Sequence, residues 1–375
     1  MSYKNIYILG VGGSGMSSIA KYLKQKGDNV IGYDQRKSYV TNLLNQDGIK
    51  VVHTLDEITY KPESLYIYSS AIPIESDRFE DFYDKENVLS RPEYLKNLSE
   101  NHKIIGITGT HGKTSTTALL SHIFHFNNVN VSYLYGGITT FNGIGGHYGD
   151  PDQPLILETD EAFNTFEKIK ISDLLVLNVD SDHLDYFKNL DNYKDAFYKV
   201  MKNVTDNLVI NNDDLNIKSM KELKNPVSYG KDIAADFKVQ SPGTFIYENN
   251  KYEIKSDIIG DHFKANMLGA IILALLNGIE IKDSLNAIES FAGVKRRIEL
   301  IGISKGVLIY DDYGHHPTEM EATITALKQQ TESKLYVVFQ PHRYTRTMEY
   351  FNSFKDSLKL ADFAIVTDIY PAGES

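Results

Sequence analysis

Cysteine is absent from the 375 residues. That absence excludes disulfides, thiolate zinc sites and cysteine nucleophiles, and it agrees with a reducing compartment. Long apolar runs are missing as well: no stretch approaches the ~18 residues that cross a bilayer. The chain starts Met1-Ser2-Tyr3-Lys4-Asn5 and runs straight into an apolar strand. No signal peptide is predicted, and a cytoplasmic protein is expected. Internal repeats and low-complexity tracts are also lacking. Positive charge is in short supply, with Lys+Arg 39 against Asp+Glu 50 and a formal net charge of −11. Such a surface repels nucleic acid and anionic membranes, so neither is an expected partner. Any nucleotide must be held by local backbone N–H groups and a few cations.

What is present is the balance of an ordinary globular protein, 42% hydrophobic and 24% charged. The length exceeds one typical domain and predicts two or three. In the first region, strand Asn5–Leu9 leads through glycines into a helix whose Met16, Ile19, Ala20 and Leu23 fall at i, i+3, i+4 and i+7. Strand Val30–Tyr33 ends at Asp34, and the region closes near residue 100. The second region, 101–298, alternates strands (Ile104–Thr108, Leu155–Glu158, Leu174–Asn178, Leu208–Asn211) with helical stretches, which predicts a parallel sheet with crossover helices. Its segment from Ala234 to Ser256 reads as a small antiparallel insertion. The third region, 299–375, repeats the alternation with strand Val307–Tyr310, helix Pro317–Gln329, strand Lys334–Phe339, helix Met348–Leu360 and strand Phe363–Thr367. It is shorter than the ~100–150 residues of a usual domain, so an incomplete domain is expected.

The most informative motif is Gly109-Thr110-His111-Gly112-Lys113-Thr114-Ser115, set between a strand and a helix. Glycines let the backbone wrap a phosphate, and the helix N-terminus presents unpaired N–H groups. Lys113 can neutralise the β/γ-phosphates, and the Thr114 hydroxyl can ligate Mg²⁺. Gly109 precedes Gly112 by three residues where a P-loop has five, so the motif is a relative of that loop. A second glycine loop, Gly10-Val11-Gly12-Gly13-Ser14-Gly15, follows a strand, with Asp34 placed where a ribose-binding acid would sit. On its own it indicates a nucleotide or dinucleotide and does not say which. Glu158 and His183 follow strand ends, where ligands gather in open α/β sheets. Oxygen-preferring Mg²⁺ favours Glu158 and Thr114; His183 reads equally as a ligand or as a hydrogen-bonded loop histidine. In the third region Asp311–Glu319 and Gln340–Thr347 follow strands in equivalent positions. Arg343 and Arg346 there suit bidentate capture of a carboxylate.

Together with Gly293–Arg297 and Asp368–Glu374, these motifs resemble the Mur ligase family, in the branch that adds L-alanine to UDP-N-acetylmuramate. The resemblance implies an α/β protein of three domains. These are a Rossmann-like domain (1–100) for the UDP part of the substrate, a central P-loop-type ATPase domain with a mostly parallel sheet (101–298), and a partial Rossmann-like C-terminal domain (299–375) for the amino acid. It implies ATP and Mg²⁺ as cofactors and an amide-forming activity in peptidoglycan precursor synthesis. The phosphate and metal centre would comprise Lys113, Thr114, Glu158 and His183, while His262, Asn266 and Arg297 serve ATP. Gly10, Gly12, Gly13, Ser14, Gly15, Met16, Asp34 and Ser70 would serve the UDP substrate, and Tyr313, His315, His342, Arg343 and Arg346 the amino acid. Two departures stand out. Ala162 and Phe163 occupy positions where the family usually has Ser and Asp, and family members continue past the point where this chain ends, so exposed apolar surface is expected in the third region. Competing readings are a ligase that adds a murein tripeptide, a nicotinamide oxidoreductase resting on the Gly10 loop, and a nucleotide-binding fragment without turnover. Monomer and homodimer are equally compatible with the sequence.

Overall fold

The computed structural model describes residues 3–220 and 223–374. The N-terminal lobe contains β1 (Asn5–Leu9), α1 (Ser14–Lys26), β2 (Val30–Tyr33), α2 (Tyr39–Gln46), β3 (Lys50–Val52), β4 (Ser64–Tyr68), β5 (Val88–Ser90) and α3 (Arg91–Ser99). Its strands form one parallel sheet in the order β3-β2-β1-β4-β5. The order reverses beside β1, so the carboxyl end of β1 and the following glycine turn sit at the crevice where such sheets bind ligands. Reciprocal Ser90–Glu93 hydrogen bonds start α3, with Pro92 in its first turn.

The middle lobe is built on ten strands. They are β6 (Ile104–Thr108), β7 (Ser132–Thr139), β8 (Gly143–His147), β9 (Leu155–Glu158), β10 (Asp173–Val176), β11 (Asn207–Asn211), β12 (Val227–Gly230), β13 (Phe237–Ser241), β14 (Thr244–Tyr247) and β15 (Asn250–Glu253). The helices are α4 (Lys113–Phe126), α5 (Leu184–Phe187), α6 (Leu190–Lys202), α7 (Leu215–Lys218), α8 (Asp261–Leu276) and α9 (Ile281–Glu289). The sheet order is β15-β14-β13-β12-β11-β10-β6-β9-β7-β8, parallel in its centre and antiparallel at both edges. The expected insertion between Ala234 and Ser256 is thus the antiparallel edge β13–β15. The opposite edge, hairpin β7–β8, was not foreseen, because its glycines hide the strand pattern.

Helices cover both faces of this sheet, as a parallel sheet requires. On one face α4, α8 and α9 pack over Ile105, Ile107, Ile156, Leu175 and Val209. On the other, Phe166, Tyr193 and Phe197 join a core that runs without interruption into Ile8, Ile19 and Leu23 of the N-terminal lobe. There α1 lies directly on the β7–β8 hairpin. A Cβ on Gly146 would stand 2.0 Å from the Ser18 carbonyl oxygen, so glycine is what lets the two backbones meet. The Lys21 ammonium donates to the carbonyls of Asn142 and Ile144 and ties the same contact.

The C-terminal lobe comprises β16 (Glu299–Ser304), β17 (Val307–Asp311), α10 (Pro317–Gln329), β18 (Tyr336–Phe339), α11 (Tyr344–Glu349), α12 (Phe351–Leu358) and β19 (Phe363–Val366). β16 and β17 form an antiparallel pair, and β18 and β19 a parallel one. The core here is small, centred on Met320, Ile324, Phe339 and Phe354. Tyr336, Val338, Phe363 and Ile365 are exposed, as expected from the sequence.

Several strand limits shift by one or two residues, as where Tyr336 rather than Lys334 opens β18, and two differences have a visible cause. The helix expected over Met348–Leu360 is two helices broken at Tyr350, whose hydroxyl donates to the Ser181 carbonyl at 3.0 Å. The strand expected to reach Asn178 stops at Val176, because the Asn178 side chain leaves the ladder to brace the glycine loop. Among the described residues no helix is long and apolar enough to cross a membrane.

Candidate active site

The loop between β6 and α4 is held in one conformation from several directions. Gly109 (φ 143°) and Gly112 (φ 87°) occupy backbone regions that strain side-chain-bearing residues. A Cβ on Gly112 would also lie 2.4 Å from the Asn266 amide nitrogen, which puts α8 hard against the loop. The Asn178 side chain accepts from the His111 N–H and donates to the His111 carbonyl, both at 2.9 Å. The Thr110 hydroxyl donates to the Asp180 carbonyl at 3.1 Å and accepts from the Asp180 N–H at 2.9 Å. A loop braced in this way needs little rearrangement on meeting a phosphate.

Lys113 opens α4. Its ammonium donates to the carbonyls of Gly109 (2.6 Å) and Thr110 (3.0 Å) and pairs with Glu161 at 2.9 Å. Glu161 is 1% exposed. Burial alone would lower the Lys113 pKa, but the charges of Glu161, Asp160 and Glu158 together with the Glu161 hydrogen bond outweigh it, so Lys113 keeps its proton. Next along the helix, the Thr114 hydroxyl donates to Glu158 Oε1 at 2.7 Å, and Glu158 Oε2 accepts from the Gly136 N–H at 2.6 Å. His183 adopts a left-handed backbone (φ 53°), with Nε2 3.8 Å from Glu161 and 3.9 Å from Asp182. Thr114 and Glu158 offer the hard oxygen donors that Mg²⁺ prefers, and His183 lines the same cleft.

These groups line a cleft of about 520 Å³ walled by all three lobes: Gly12 and Ser14 from the first, Lys113, Glu158, His183 and Arg297 around the loop, and Tyr313 and His315 from the third. A second cavity of about 420 Å³ lies beyond the loop, between His262, Asn266, Asp214, Asp312 and Thr323. His111, Gly112, Arg297 and Glu319 line both. Ser115 faces the second cavity.

The first glycine loop is only partly at the cleft. Gly10 (φ 79°) donates its N–H to Tyr33 O, and its carbonyl accepts from Gly13. Asp34, expected as a ribose acid, spends its carboxylate on the protein: it accepts from the Gly12 N–H at 2.8 Å and the Arg36 N–H at 3.0 Å. Met16, expected at the substrate loop, is a core residue at 2% exposure, and its N–H is bonded to Gly13 O. The helical periodicity that includes Met16 had already marked it as core-facing. Gly15 sits against the Arg91 guanidinium, 2.8 Å from a built Cβ, and Ser70 is exposed in the turn after β4.

In the C-terminal lobe, the Tyr313 ring lies under the Arg296 and Arg297 guanidinium groups at 4.9 and 5.5 Å. Arg296 (φ 60°) and Ile298 (φ 48°) carry backbone strain at the junction of the lobes. His315 Nδ1 is 3.1 Å from the Tyr313 carbonyl, and burial lowers its pKa. Arg346 reaches Asp182 at 3.6 Å, and Arg343 pairs with Glu374 at 2.7 Å. The His342 ring is 6.1 Å from that of His315, outside the lining of the main cleft. The side chain of Phe163 lies outside the described part of the structure, and Ala162 is half-buried.

Sequence reasoning missed Glu161, Asp180 and Glu319. Their signal is weak, because single carboxylates beside a motif are common. His111 Nε2 is 3.2 Å from Asp180 Oδ2, and Nδ1 is 3.4 Å from Glu319 Oε1. Burial alone would lower the His111 pKa; the hydrogen bonds and charges of both carboxylates outweigh it and raise the pKa to about 9. The same contacts hold Asp180 and Glu319 below the usual carboxylate range against the opposing effect of burial. His111, Asp180 and His316 are metal-ligand types drawn together. In this structure His111 lies between Asp180 and Glu319, with the His316 ring 4.9 Å from its own.

Three family models match the chain in order: Mur ligase family, catalytic domain, over residues 5–103; Mur ligase middle domain over 107–274; and Mur ligase, glutamate ligase domain over 296–375. A UDP-N-acetylmuramate–L-alanine ligase of Clostridium botulinum is 36% identical over 387 residues, spanning 99% of this chain and 84% of the relative. One from Caldicellulosiruptor bescii is 36% identical over 388 residues, with 98% and 84% covered. The crystal structure of the UDP-N-acetylmuramate–alanine ligase of Thermotoga maritima superposes with a TM-score of 0.82 at 26% identity, covering 99% of this chain and 86% of that one. A murein peptide ligase from Psychrobacter arcticus shares the fold, with a TM-score of 0.74 at 23% identity and 97% and 84% covered. The chain therefore belongs to the Mur ligase family.

Proposed function

We propose that the protein joins L-alanine to the lactyl carboxylate of UDP-N-acetylmuramate, converting ATP to ADP and phosphate, in the synthesis of peptidoglycan precursors. The observation that carries this reading is the single cleft in which the Lys113 loop, the Gly12–Ser14 turn and the Tyr313–His315 segment meet. A ligase must bring a nucleotide, an acid and an amine to one point, and three lobes facing one cleft suit that task. The names of the relatives agree. Residues 1–100, 101–298 and 299–375 act as the UDP-substrate, ATP and amino-acid domains, and the reaction takes place in the cytoplasm.

A carboxylate is a poor electrophile, so it must first be activated. One carboxylate oxygen attacks the γ-phosphorus, the bond to the β-phosphate bridge breaks, and ADP leaves. Lys113 and Arg297 offset the charge on the transferring group, which is largely an electrostatic and positioning task. The second cavity, with His262 and Asn266, takes the nucleoside end. Mg²⁺ fits the donor set: Thr114 and Glu158 would hold it, with His183 beside them, and it would supply charge neutralisation at the phosphates. The amine of alanine then attacks the acyl carbon, a tetrahedral intermediate forms, and phosphate departs. His315, kept neutral by burial, lines the cleft and accepts the amine proton. Arg346 and Arg343 grip the alanine carboxylate, which orients its nitrogen toward the acyl carbon. Gly12 and Ser14 serve the UDP diphosphate at the head of α1, where a helix N-terminus favours anions.

The test is incubation of the purified chain with ATP, Mg²⁺, UDP-N-acetylmuramate and L-alanine, with phosphate release and product mass followed together. The reading requires release that depends on both co-substrates, a product heavier by one alanine residue, and loss of both signals in Lys113→Ala. A folded wild-type chain that gives neither signal overturns it.

A further inference from the structure

His111 stands in the nucleotide loop, and its imidazole lies between carboxylates of two lobes. Asp180 holds Nε2 at 3.2 Å, and Glu319 holds Nδ1 at 3.4 Å. Asp180 belongs to the middle lobe and Glu319 to α10 of the C-terminal lobe. Thr318, next to Glu319, donates to Asp180 at 2.7 Å, and the His316 ring lies 4.9 Å from that of His111. Glu319 also faces Arg297 at 3.8 Å. The His111 backbone is fixed independently by Asn178 at both its N–H and its carbonyl. A change of side chain therefore leaves the loop backbone braced and removes the imidazole's contacts to Asp180 and Glu319, so that of these contacts only Thr318–Asp180 still ties α10 to the middle lobe. His111 and Glu319 form the wall shared by the two cavities, so their contact sits where a nucleotide passes from one to the other.

We propose that His111 is a positioning residue whose imidazole, gripped by a carboxylate from each lobe, docks the 311–319 segment onto the nucleotide loop and so seats Arg297 and His315 at the reacting centre. The catalytic consequence rests on the ligase reading; the docking itself does not. His111 touches no reacting atom in this role. It fixes the place of groups that do.

The groups facing His111 are Asp180 after β10, His316 and Glu319 from the C-terminal lobe, and His262 from α8, with Arg297 and His315 on the far side of Glu319. Burial holds His262, His315 and His316 neutral, so the titration that governs docking near pH 9 is that of His111. In substrate-free protein, His111→Ala should speed amide exchange in the first turn of α10 about tenfold or more, as expected when a docked element opens locally. Glu319→Gln should do the same, and the double variant should fall well short of the product of the two single effects, because both changes remove the His111–Glu319 contact, although His111 also bonds Asp180 and Glu319 also faces Arg297 and caps α10. In turnover, His111→Ala should lower kcat by roughly 10–100-fold while the KM for UDP-N-acetylmuramate stays within about twofold. The fall in wild-type kcat near pH 9 should be missing from the variant. Unchanged exchange in α10, or single-variant effects that multiply in the double variant, overturns the proposal. If the wild-type chain releases no phosphate, the ligase reading fails, and the exchange measurement still decides the docking.

Discussion

Replacing Lys113 by Met should destabilise the protein as well as silence it, and a second change should undo only the first effect. The ammonium is 14% exposed and its partner Glu161 1% exposed, with 2.9 Å between them. Removing one member of a buried pair leaves an uncompensated charge, at a cost of about 3–5 kcal/mol. At roughly 2–4 °C per kcal/mol for a domain of this size, the first thermal transition should fall by about 6–20 °C. Adding Glu161→Gln removes the stranded carboxylate, so Lys113→Met/Glu161→Gln should recover to within about 1–2 kcal/mol of wild type. Turnover should not recover. Losing the charge that offsets the transferring phosphoryl group costs roughly 10²–10³-fold in either background. Calorimetry or circular dichroism melts supply the stability arm, and coupled phosphate release supplies the activity arm. A double variant no more stable than Lys113→Met, or a Lys113→Met chain melting within 2 °C of wild type, would refute the reasoning; so would activity restored by the second change.

Gly112→Ala combines a left-handed backbone with a Cβ 2.4 Å from Asn266, so ATP affinity measured calorimetrically should weaken by about tenfold or more. Gly146→Ala drives a methyl group into the Ser18 backbone at 2.0 Å, which α1 cannot yield without moving; a loss of about 1–3 kcal/mol or more is expected in urea melts. The His111 pKa rises from 6.5 to about 9 on folding. Because it is raised, its contribution to stability is complete below about pH 6.5 and lost as the pH climbs through about 9. The total is roughly 3 kcal/mol at ~1.4 kcal/mol per unit. His111→Ala should flatten that segment of the stability–pH curve.

The parallel elements were legible because their strands are short apolar runs that end at glycine (β1, β6) or at polar residues (β2, β9). β1, β2, β6 and β9 have the limits read from the sequence, and so does α10 with Pro317 at its head. The β7–β8 hairpin was not legible: Gly136, Gly143 and Gly146 face α1, Gly137 faces Val294 and Thr114, and Gly145 faces Tyr135, which leaves too few side chains for a strand pattern. The phosphate loop could be read because its chemistry is local, all within 109–115. Glu161, Asp180 and Glu319 could not, because each gains its meaning from a partner far along the chain: Lys113 for the first, His111 for the other two. Met16 belongs both to the motif and to the helical stripe, and the structure buries its side chain with the stripe.

The central claim is that the sugar-nucleotide carboxylate is phosphorylated before the amine attacks. The most direct test uses UDP-N-acetylmuramate labelled with ¹⁸O in its lactyl carboxylate, with ATP, Mg²⁺ and L-alanine, followed by mass analysis of the released phosphate. The account predicts one labelled oxygen in each phosphate formed, since the attacking carboxylate oxygen leaves with phosphorus when the amide forms. Phosphate free of label alongside amide product would contradict it, because the carboxylate oxygen would then never have been bonded to phosphorus.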